Sequence, residues 1–192
     1  VKHNFILAGP SASGKTELYR TLKRLFKKYD CPVPVLLLDI TSFSPTGFQG
    51  EELSVIPEKI LNENSDGLAI VFLDEFDKIL SPLHCATGDN INGILQHELL
   101  TMIEGRICSV KQRNLTNSVD TSKTLFIGMG AFTAYRETQT ETKTLGFLSS
   151  KERNIPPEQT LLAMEDLHTV GGMVELLGRF DSVYNFHPIV RE

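Results

Sequence analysis

The amino-acid sequence predicts an α/β protein, with an open parallel sheet of five strands and helices on both of its faces. Short apolar segments alternate along the chain with segments of helical periodicity, which is the order of strands and crossover helices in such folds. Most of the apolar segments are continuous rather than alternating in polarity, as expected for strands that are buried on both faces. The length of 192 residues suits a single domain with a substantial core.

The predicted strands and helices follow one another in this order. The strands are residues 4–9, 34–40, 68–75, 124–130 and 182–187. A helix follows the first strand, and its apolar face is predicted to carry Leu18, Leu22, Leu25 and Phe26. A second regular helix is predicted over residues 91–105.

The segment between the second and third strands gives a less regular helical pattern. Leu53, Ile56 and Ile60 share a helical face, but Pro57 lies among them. Proline is tolerated in the first turn of a helix and not deeper, so this helix either begins at Ser54 or is kinked. Residues 133–160 are polar, and we predict a long loop there within the domain.

Composition and charge exclude several classes of protein. The net charge is −5, which argues against nucleic acid as the main partner. No apolar run approaches the roughly 18 residues that cross a bilayer, and no signal peptide opens the chain. Cys31, Cys85 and Cys108 give neither a disulfide framework nor a zinc-binding pair. We therefore expect reduced thiols and a cytoplasmic or organelle-matrix protein without a membrane partner.

The segment GPSASGKT follows the first predicted strand and opens the first helix. It matches the P-loop pattern GxxxxGK followed by Ser or Thr, in the context that this pattern requires. Backbone N–H groups and the positive end of the helix dipole bind phosphate, Lys15 reaches the β- and γ-phosphates of ATP, and Thr16 supplies a hydroxyl to Mg²⁺. The predicted nucleotide-binding residues are Gly9, Pro10, Ser11, Ala12, Ser13, Gly14, Lys15 and Thr16. A glycine turn that only caps a helix is disfavoured, because strand, loop, Lys-Thr pair and helix are all in register.

An acidic pair ends the third predicted strand, in the segment LAIVFLDEFDK. Ligands of open α/β sheets bind at this carboxyl edge. We expect Asp74 to hold Mg²⁺, directly or through water, and Glu75 to polarise the water that attacks the γ-phosphate. The alternative is an acidic strand end that faces solvent, which is less compatible with a P-loop in the same sheet. Because nucleotide binding needs only the aspartate, the pair favours hydrolysis over binding alone.

Six segments together resemble the ATPase core of the ClpX-type AAA+ unfoldases, in that family's order. They are GPSASGKT, TSFSPTGFQGEEL, VFLDEFDKI, ILQHELLTMIEG, DTSKTLFIGMGAF and ELLGRFDSV. The resemblance implies the P-loop NTPase fold of AAA+ proteins, a three-layer sandwich around a five-stranded parallel sheet. It also implies a hexameric ring that uses ATP and Mg²⁺ to thread unfolded polypeptides, in partnership with a ClpP-like peptidase.

The resemblance gives a role to a short glycine-flanked segment. Gly47, Phe48, Gln49 and Gly50 match the pore loop that grips unfolded polypeptide, although Gln49 stands where the family has an aliphatic residue. An apolar tip on a flexible loop suits contact with chains of almost any sequence. In the alternative interpretation, Phe48 packs into the core as an anchor for its own loop.

Two further sites follow from the resemblance. Arg179 matches the arginine finger, which reaches the γ-phosphate bound by a neighbouring subunit. Alternatively, Gly178 caps the preceding helix and Arg179 neutralises the C-terminal end of that helix. The tripeptide Leu145, Gly146 and Phe147 is similar to the loop by which ClpX-type rings dock onto the peptidase, or else it is a small hydrophobic anchor.

The sequence also departs from the family pattern. Gly128, Met129 and Gly130 offer no polar sensor side chain at the end of the fourth strand. The family's small helical domain does not follow the last strand, so we expect residues 1–192 to be the large ATPase subdomain alone, as one domain.

Two other functions stay open from the sequence. One is a nucleotide-dependent switch without productive turnover, and the other is an ATPase that remodels nucleic acid. The second draws on a basic run in the first helix, which we interpret as a solvated helix face because it lacks interleaved aromatic residues. That run consists of Arg20, Lys23, Arg24, Lys27 and Lys28.

Overall fold

A computed structural model describes residues 2–48, 50–112, 115–137 and 161–188. Its central element is a sheet of five parallel strands in the order β2-β5-β8-β1-β9. The strands are β1 (Phe5–Ala8), β2 (Val35–Asp39), β5 (Ala69–Asp74), β8 (Thr124–Gly130) and β9 (Ser182–Asn185). Each strand lies inside its predicted segment, so the α/β class and the five-stranded parallel sheet are confirmed.

Two short ladders lie outside the central sheet. The strands β3 (Phe43–Ser44) and β4 (Glu51–Glu52) pair in parallel and close the glycine-flanked segment between them. The strands β6 (Ile107–Gln112) and β7 (Leu115–Asp120) pair in an antiparallel hairpin. The sequence analysis did not predict this hairpin.

The helices connect the strands and cover both faces of the sheet. Their bounds are α1 (Lys15–Lys28), α2 (Val55–Glu63), α3 (Phe76–Leu80), α4 (Ile91–Glu104), α6 (Asp166–Thr169) and α7 (Val174–Leu177), and residues 133–137 form the helical segment α5. Helix α2 begins directly after Ser54, so Pro57 falls in its first turn, as one of the two predicted alternatives requires. The prediction of a loop from residue 133 is wrong for residues 133–137, and residues 138–160 lie outside the described part of the chain.

The sheet separates two apolar clusters and thus forms the middle of three layers. On one face, the apolar side chains of α2, α3, α4 and α7 pack on Ile6, Val71 and Phe126. On the other face, α1 packs on Leu7 and Phe72. This arrangement confirms the predicted three-layer sandwich, and it puts the carboxyl ends of all five parallel strands at one edge of the sheet.

The sheet-facing stripe of α1 differs in part from the predicted one. Tyr19, Leu22 and Phe26 pack against the sheet, whereas Leu18 and Leu25 are each 41% exposed. Successive residues of an α-helix are about 100° apart, so residues 15, 19, 22 and 26 cluster on one side of α1, whereas Leu18 and Leu25 lie about 60–80° away from Lys15. The sheet-facing stripe therefore runs through residues 15, 19, 22 and 26.

Among the residues that the structure describes, no helix combines the length and the apolar character needed to cross a membrane.

Candidate functional site

The P-loop connects β1 to α1 at the carboxyl edge of the sheet, and its backbone takes up conformations that few residues adopt. Gly14 has φ of 98° at the N-terminus of α1, and Ala12 also has a positive φ, of 61°. Gly9 is required for a different reason, because a Cβ atom there would lie 2.7 Å from both Cβ and the backbone oxygen of Phe186. The N–H of Gly9 donates to the carbonyl of Gly130 at 3.1 Å, which ties the start of the loop to β8.

The ammonium group of Lys15 turns back over the loop. It donates to the carbonyl oxygens of Gly9 at 2.6 Å and Pro10 at 2.9 Å, and it lies 3.4 Å from the Ser13 hydroxyl. Burial lowers the pKa of Lys15, while the nearby carboxylates, first that of Asp74, act to raise it. Lys15 is thus a partly desolvated group that backbone carbonyls hold at the mouth of the loop.

The acid pair lies at the same edge, at the end of β5. The N–H of Glu75 donates to Asp74 Oδ1 at 3.0 Å, and Glu75 has a positive φ of 56°, which is strained for a residue with a side chain. Although Glu75 is exposed, partial desolvation by its surroundings raises the pKa of its carboxyl, and the negative charge of Asp77 raises it further. A carboxyl with a raised pKa at the ligand edge of the sheet has the character of a group that accepts a proton.

These side chains suit a nucleotide with a divalent cation. Mg²⁺ binds hard oxygen ligands, and protein sites commonly supply only one or two of them, with the remainder from phosphates and water. Within the described ranges, no cluster of three or more His, Cys, Asp or Glu side chains is arranged to hold a metal. The prediction that Asp74 and Thr16 hold Mg²⁺ therefore relies on oxygen ligands from the nucleotide and from water for the rest of the coordination shell.

The glycines at the end of β8 have a packing role that the sequence did not reveal. A Cβ atom on Gly128 would lie 3.0 Å from the ring of Phe76, and one on Gly130 would lie 2.5 Å from Asp77 Oδ1. Side chains of α3 thus occupy the space that a sensor side chain on β8 would need.

Two charged residues near the P-loop were missed by the sequence analysis. The Asp77 carboxylate accepts the Phe132 N–H at 3.0 Å, and its charge acts on both Lys15 and Glu75. Arg136 is 4% exposed, donates from Nε to the Ala131 carbonyl at 3.1 Å, and lowers the pKa of Lys15 by its positive charge. Asp77 could have been recognised from its place two residues after the acid pair. Arg136 had no such signal, because it lies in a segment predicted as a loop.

The glycine-flanked segment lies beside an apolar groove of about 550 Å³. Gly47 and Gly50 have positive φ values of 90° and 143°, and the N–H of Thr46 donates to Glu98 Oε1 of α4 at 3.2 Å. Phe48 is 39% exposed and lines the groove, so its side chain is not enclosed in the core. Gln49 lies outside the described residues, and the role of this segment stays a prediction.

Arg179 lies at the opposite edge of the sheet from the P-loop. Its backbone precedes β9, whose first residue Ser182 pairs with Phe5 at the start of β1, whereas Gly9 follows the end of β1. A strand of four residues spans about 13 Å, so the length of β1 separates Arg179 from the P-loop of its own chain. The guanidinium donates to Glu104 Oε1 from Nε at 3.1 Å and from Nη2 at 2.5 Å.

The hydrogen bonds of the Arg179 side chain do not support the alternative interpretation, in which Arg179 neutralises the end of α7. Gly178 does cap α7, as the first part of that interpretation states, with φ of −63° and an N–H that bonds to the Val174 carbonyl at 2.9 Å. The Arg179 side chain instead pairs with the last residue of α4.

The remaining predicted sites have separate outcomes. Leu145, Gly146 and Phe147 lie outside the described residues, so the docking role stays a prediction. The basic run of α1 is exposed along its length, and its Arg20 pairs with Glu17 on the same helix at 3.4 Å. This exposure agrees with a solvated helix face.

Comparison with known proteins agrees with this geometry. A family model described as AAA domain (Cdc48 subfamily) matches residues 1–183. The ATP-dependent Clp protease ATP-binding subunit ClpX of Azotobacter vinelandii is 32% identical over 93% of this chain and 44% of its own length. The protein of that name from Treponema denticola is 32% identical over 100% of this chain and 50% of its own length. The chain thus spans about half the length of the curated relatives it matches.

The sheet order, the P-loop, the acid pair and these relatives all agree with the family that the six segments resemble. The chain therefore belongs to the AAA family of ATPase domains, as a ClpX-type AAA+ domain.

Proposed function

We propose that this chain binds ATP with Mg²⁺ and hydrolyses it as one subunit of a ring that unfolds proteins. The observation that carries the proposal is the meeting of the P-loop and the acid pair at one edge of the sheet. The carboxylates of Asp74, Asp77 and Glu75 all act electrostatically on Lys15, which is consistent with a single shared site.

Each residue of this site has a role that its surroundings support. Lys15 exchanges its present carbonyl partners for the β- and γ-phosphate oxygens of ATP. Glu75 orients the attacking water and accepts its proton, for which a raised pKa is suited. Asp74 and Thr16 would hold Mg²⁺, which would supply positive charge to neutralise the phosphates.

A ring is supported by the placement of Arg179 away from the P-loop of its own chain. An arginine at the far edge of the sheet completes a nucleotide site only when a second copy brings that edge to the first copy's P-loop. In such an arrangement, the guanidinium offsets the charge that develops in the transition state.

The work that hydrolysis drives is proposed from the family and from the segment around Phe48. We expect unfolded polypeptide to contact Phe48, since its ring is partly exposed on a segment flanked by two glycines of positive φ. The relatives' name includes a protease, and we propose a ClpP-like peptidase as the partner, with Leu145, Gly146 and Phe147 as the contact.

The proposal is tested by the rate of ATP hydrolysis as a function of protein concentration. A specific activity that climbs steeply with concentration in the wild type, and is lost in Glu75→Gln, is the expected result. Glu63→Gln, which removes an exposed carboxylate at the end of α2, serves as the matched control and should hydrolyse ATP like the wild type. ATP binding without hydrolysis at any concentration would contradict the proposal and favour a nucleotide-dependent switch.

A further inference from the structure

We propose that Glu104 is a positioning residue, which holds the guanidinium of Arg179 in the orientation needed to reach the nucleotide of a neighbouring subunit. The inference rests on the proposed function, because it requires Arg179 to act across a subunit boundary.

The contact occupies one side of the guanidinium and leaves the other side available. Nε and Nη2 of Arg179 both donate to the same oxygen, Oε1 of Glu104. A guanidinium has five N–H donors in a planar fork, so this pairing uses the side that carries Nε. Among the described residues, Nη1 of Arg179 donates to no acceptor. The end of the fork therefore stays able to donate to phosphate oxygens while Glu104 holds its side.

A separate hydrogen bond fixes the backbone of Arg179 but not its side chain. Asn4 is 3% exposed and donates from Nδ2 to the Arg179 carbonyl at 2.9 Å. The Asn4 oxygen accepts the Phe126 N–H at 2.9 Å, so this amide joins β8 to the segment before β9. Arginine has a long side chain with several rotatable bonds, and a fixed Cα leaves many positions open to its guanidinium. The contact with Glu104 selects one of them.

Glu104 is itself well placed, because the end of α4 is firmly packed. Ile103 is fully buried, and Thr121 donates from its buried hydroxyl to the Met102 carbonyl at 3.0 Å. Gly105 follows with φ of 96°, and a Cβ atom there would lie 2.7 Å from the Cα atom of Ser122. This close approach keeps the last turn of α4 from shifting, so the Glu104 carboxylate starts from a defined backbone position.

The pair is accessible to another molecule. The side chains of Arg179 and Glu104 are 48% and 40% exposed, and they line an open cavity of about 380 Å³. Exposed ion pairs contribute little to fold stability. We therefore expect the contact with Glu104 to matter for the orientation of Arg179 and not for the stability of the fold. Asp181 lines the same cavity but pairs with His3 at 2.8 Å, so it offers a control carboxylate that does not touch the Arg179 side chain.

The test mixes two kinds of full-chain subunit. The acceptor carries Arg179→Ala and keeps its own P-loop and acid pair, so its site lacks only the arginine from a neighbour. The donor carries Glu75→Gln, so it cannot hydrolyse ATP itself but offers Arg179. Three donors are compared: the parent, one with Glu104→Gln added, and one with Asp181→Asn added. The rate of ATP hydrolysis and the KM for ATP are measured at a fixed ratio of donor to acceptor. The melting temperature and the assembly of each donor are measured separately.

We expect the parent donor and the Asp181→Asn donor to restore hydrolysis equally. The Glu104→Gln donor should restore a kcat roughly ten-fold lower with KM unchanged, because misplacing a reacting group by about 1 Å costs up to about a hundred-fold in rate. A purely structural role would instead lower the melting temperature or the assembly of that donor. Equal restoration of hydrolysis by all three donors would overturn the proposed role of Glu104 and would leave the trans role of Arg179 standing. No restoration by the parent donor would overturn the trans role of Arg179, and the inference with it.

Discussion

The first P-loop glycine gives a prediction whose size follows from the contacts around it. In Gly9→Ala, the new Cβ would lie 2.7 Å from Cβ and from the backbone oxygen of Phe186, against an ordinary contact of at least 3.4 Å. Neither the Phe186 backbone nor the Gly9 backbone can move away freely, because the Phe186 N–H bonds to the Ala8 carbonyl at 2.7 Å and the Gly9 N–H bonds to the Gly130 carbonyl. Overpacking of this kind costs about 1–3 kcal/mol. The melting temperature should fall by roughly 2–12 °C, since 1 kcal/mol is worth about 2–4 °C in a protein of this size.

The assay for this prediction is thermal unfolding together with ATP binding. Gly178→Ala is the matched control, because Gly178 has a helical φ and its nearest contact for a new Cβ is 3.3 Å. The control should melt close to the wild type, whereas Gly9→Ala should melt lower and bind ATP more weakly because the loop backbone has moved. A Gly9→Ala protein with wild-type melting temperature and ATP affinity would refute the close approach of Phe186 to the loop.

Three further changes test the proposed site. Lys15→Ala should weaken ATP binding by at least roughly ten-fold, because a hydrogen bond to a charged group contributes about 1.5–3 kcal/mol; a titration that shows wild-type affinity would mean that the loop does not bind phosphate. Glu75→Gln should unfold at a higher urea concentration than the wild type at pH 7, and at the same concentration near pH 4. The reason is that a carboxyl whose pKa is raised in the folded state makes the folded protein less stable as pH rises through that pKa. A lower urea midpoint for the variant at pH 7 would contradict this. Phe48→Ala should keep ATP hydrolysis and abolish unfolding of a tagged substrate protein, and retained unfolding would assign Phe48 to the packing of its own segment.

Much of the fold was predictable because its signals are local. A buried parallel strand is continuous in apolar residues, and a P-loop carries its own turn and cap residues in eight positions. The hairpin β6–β7 lacked such a signal, since the residues between its strands are Arg-Asn rather than the Asn-Gly or Asp-Gly that favour tight hairpins. The face of α1 was only partly predictable, because two overlapping apolar stripes share Leu22 and Phe26, and residue type alone does not decide whether Tyr19 or Leu18 and Leu25 face the sheet.

Contacts between distant parts of the chain could not be predicted in this way. Glu104 and Arg179 are 75 residues apart, and nothing in either segment indicates the other. The same holds for the Phe186 backbone over Gly9 and for Asp77 against Gly130. In each case the sequence supplies a residue type with a known chemistry, and the sheet order decides which partner it meets.

Helix α4 connects the parts of the molecule that the proposed cycle must coordinate. Asn92 donates to the carbonyls of Lys78 and Ser81 at 2.9 and 2.7 Å, which joins α4 to the helix that follows the acid pair. Gln96 is 2% exposed and donates to the Ile79 carbonyl while it accepts the Met173 N–H. Further along α4, Glu98 accepts a hydrogen bond from the Thr46 N–H, in the segment that carries Phe48, and Glu104 accepts one from Arg179. Leaving a buried polar group of this kind unpaired costs about 1–3 kcal/mol. Separating α3 from α4 would leave these buried amides unpaired, so the two helices are held together, and the side chains of α4 connect α3 to both the Phe48 segment and the arginine.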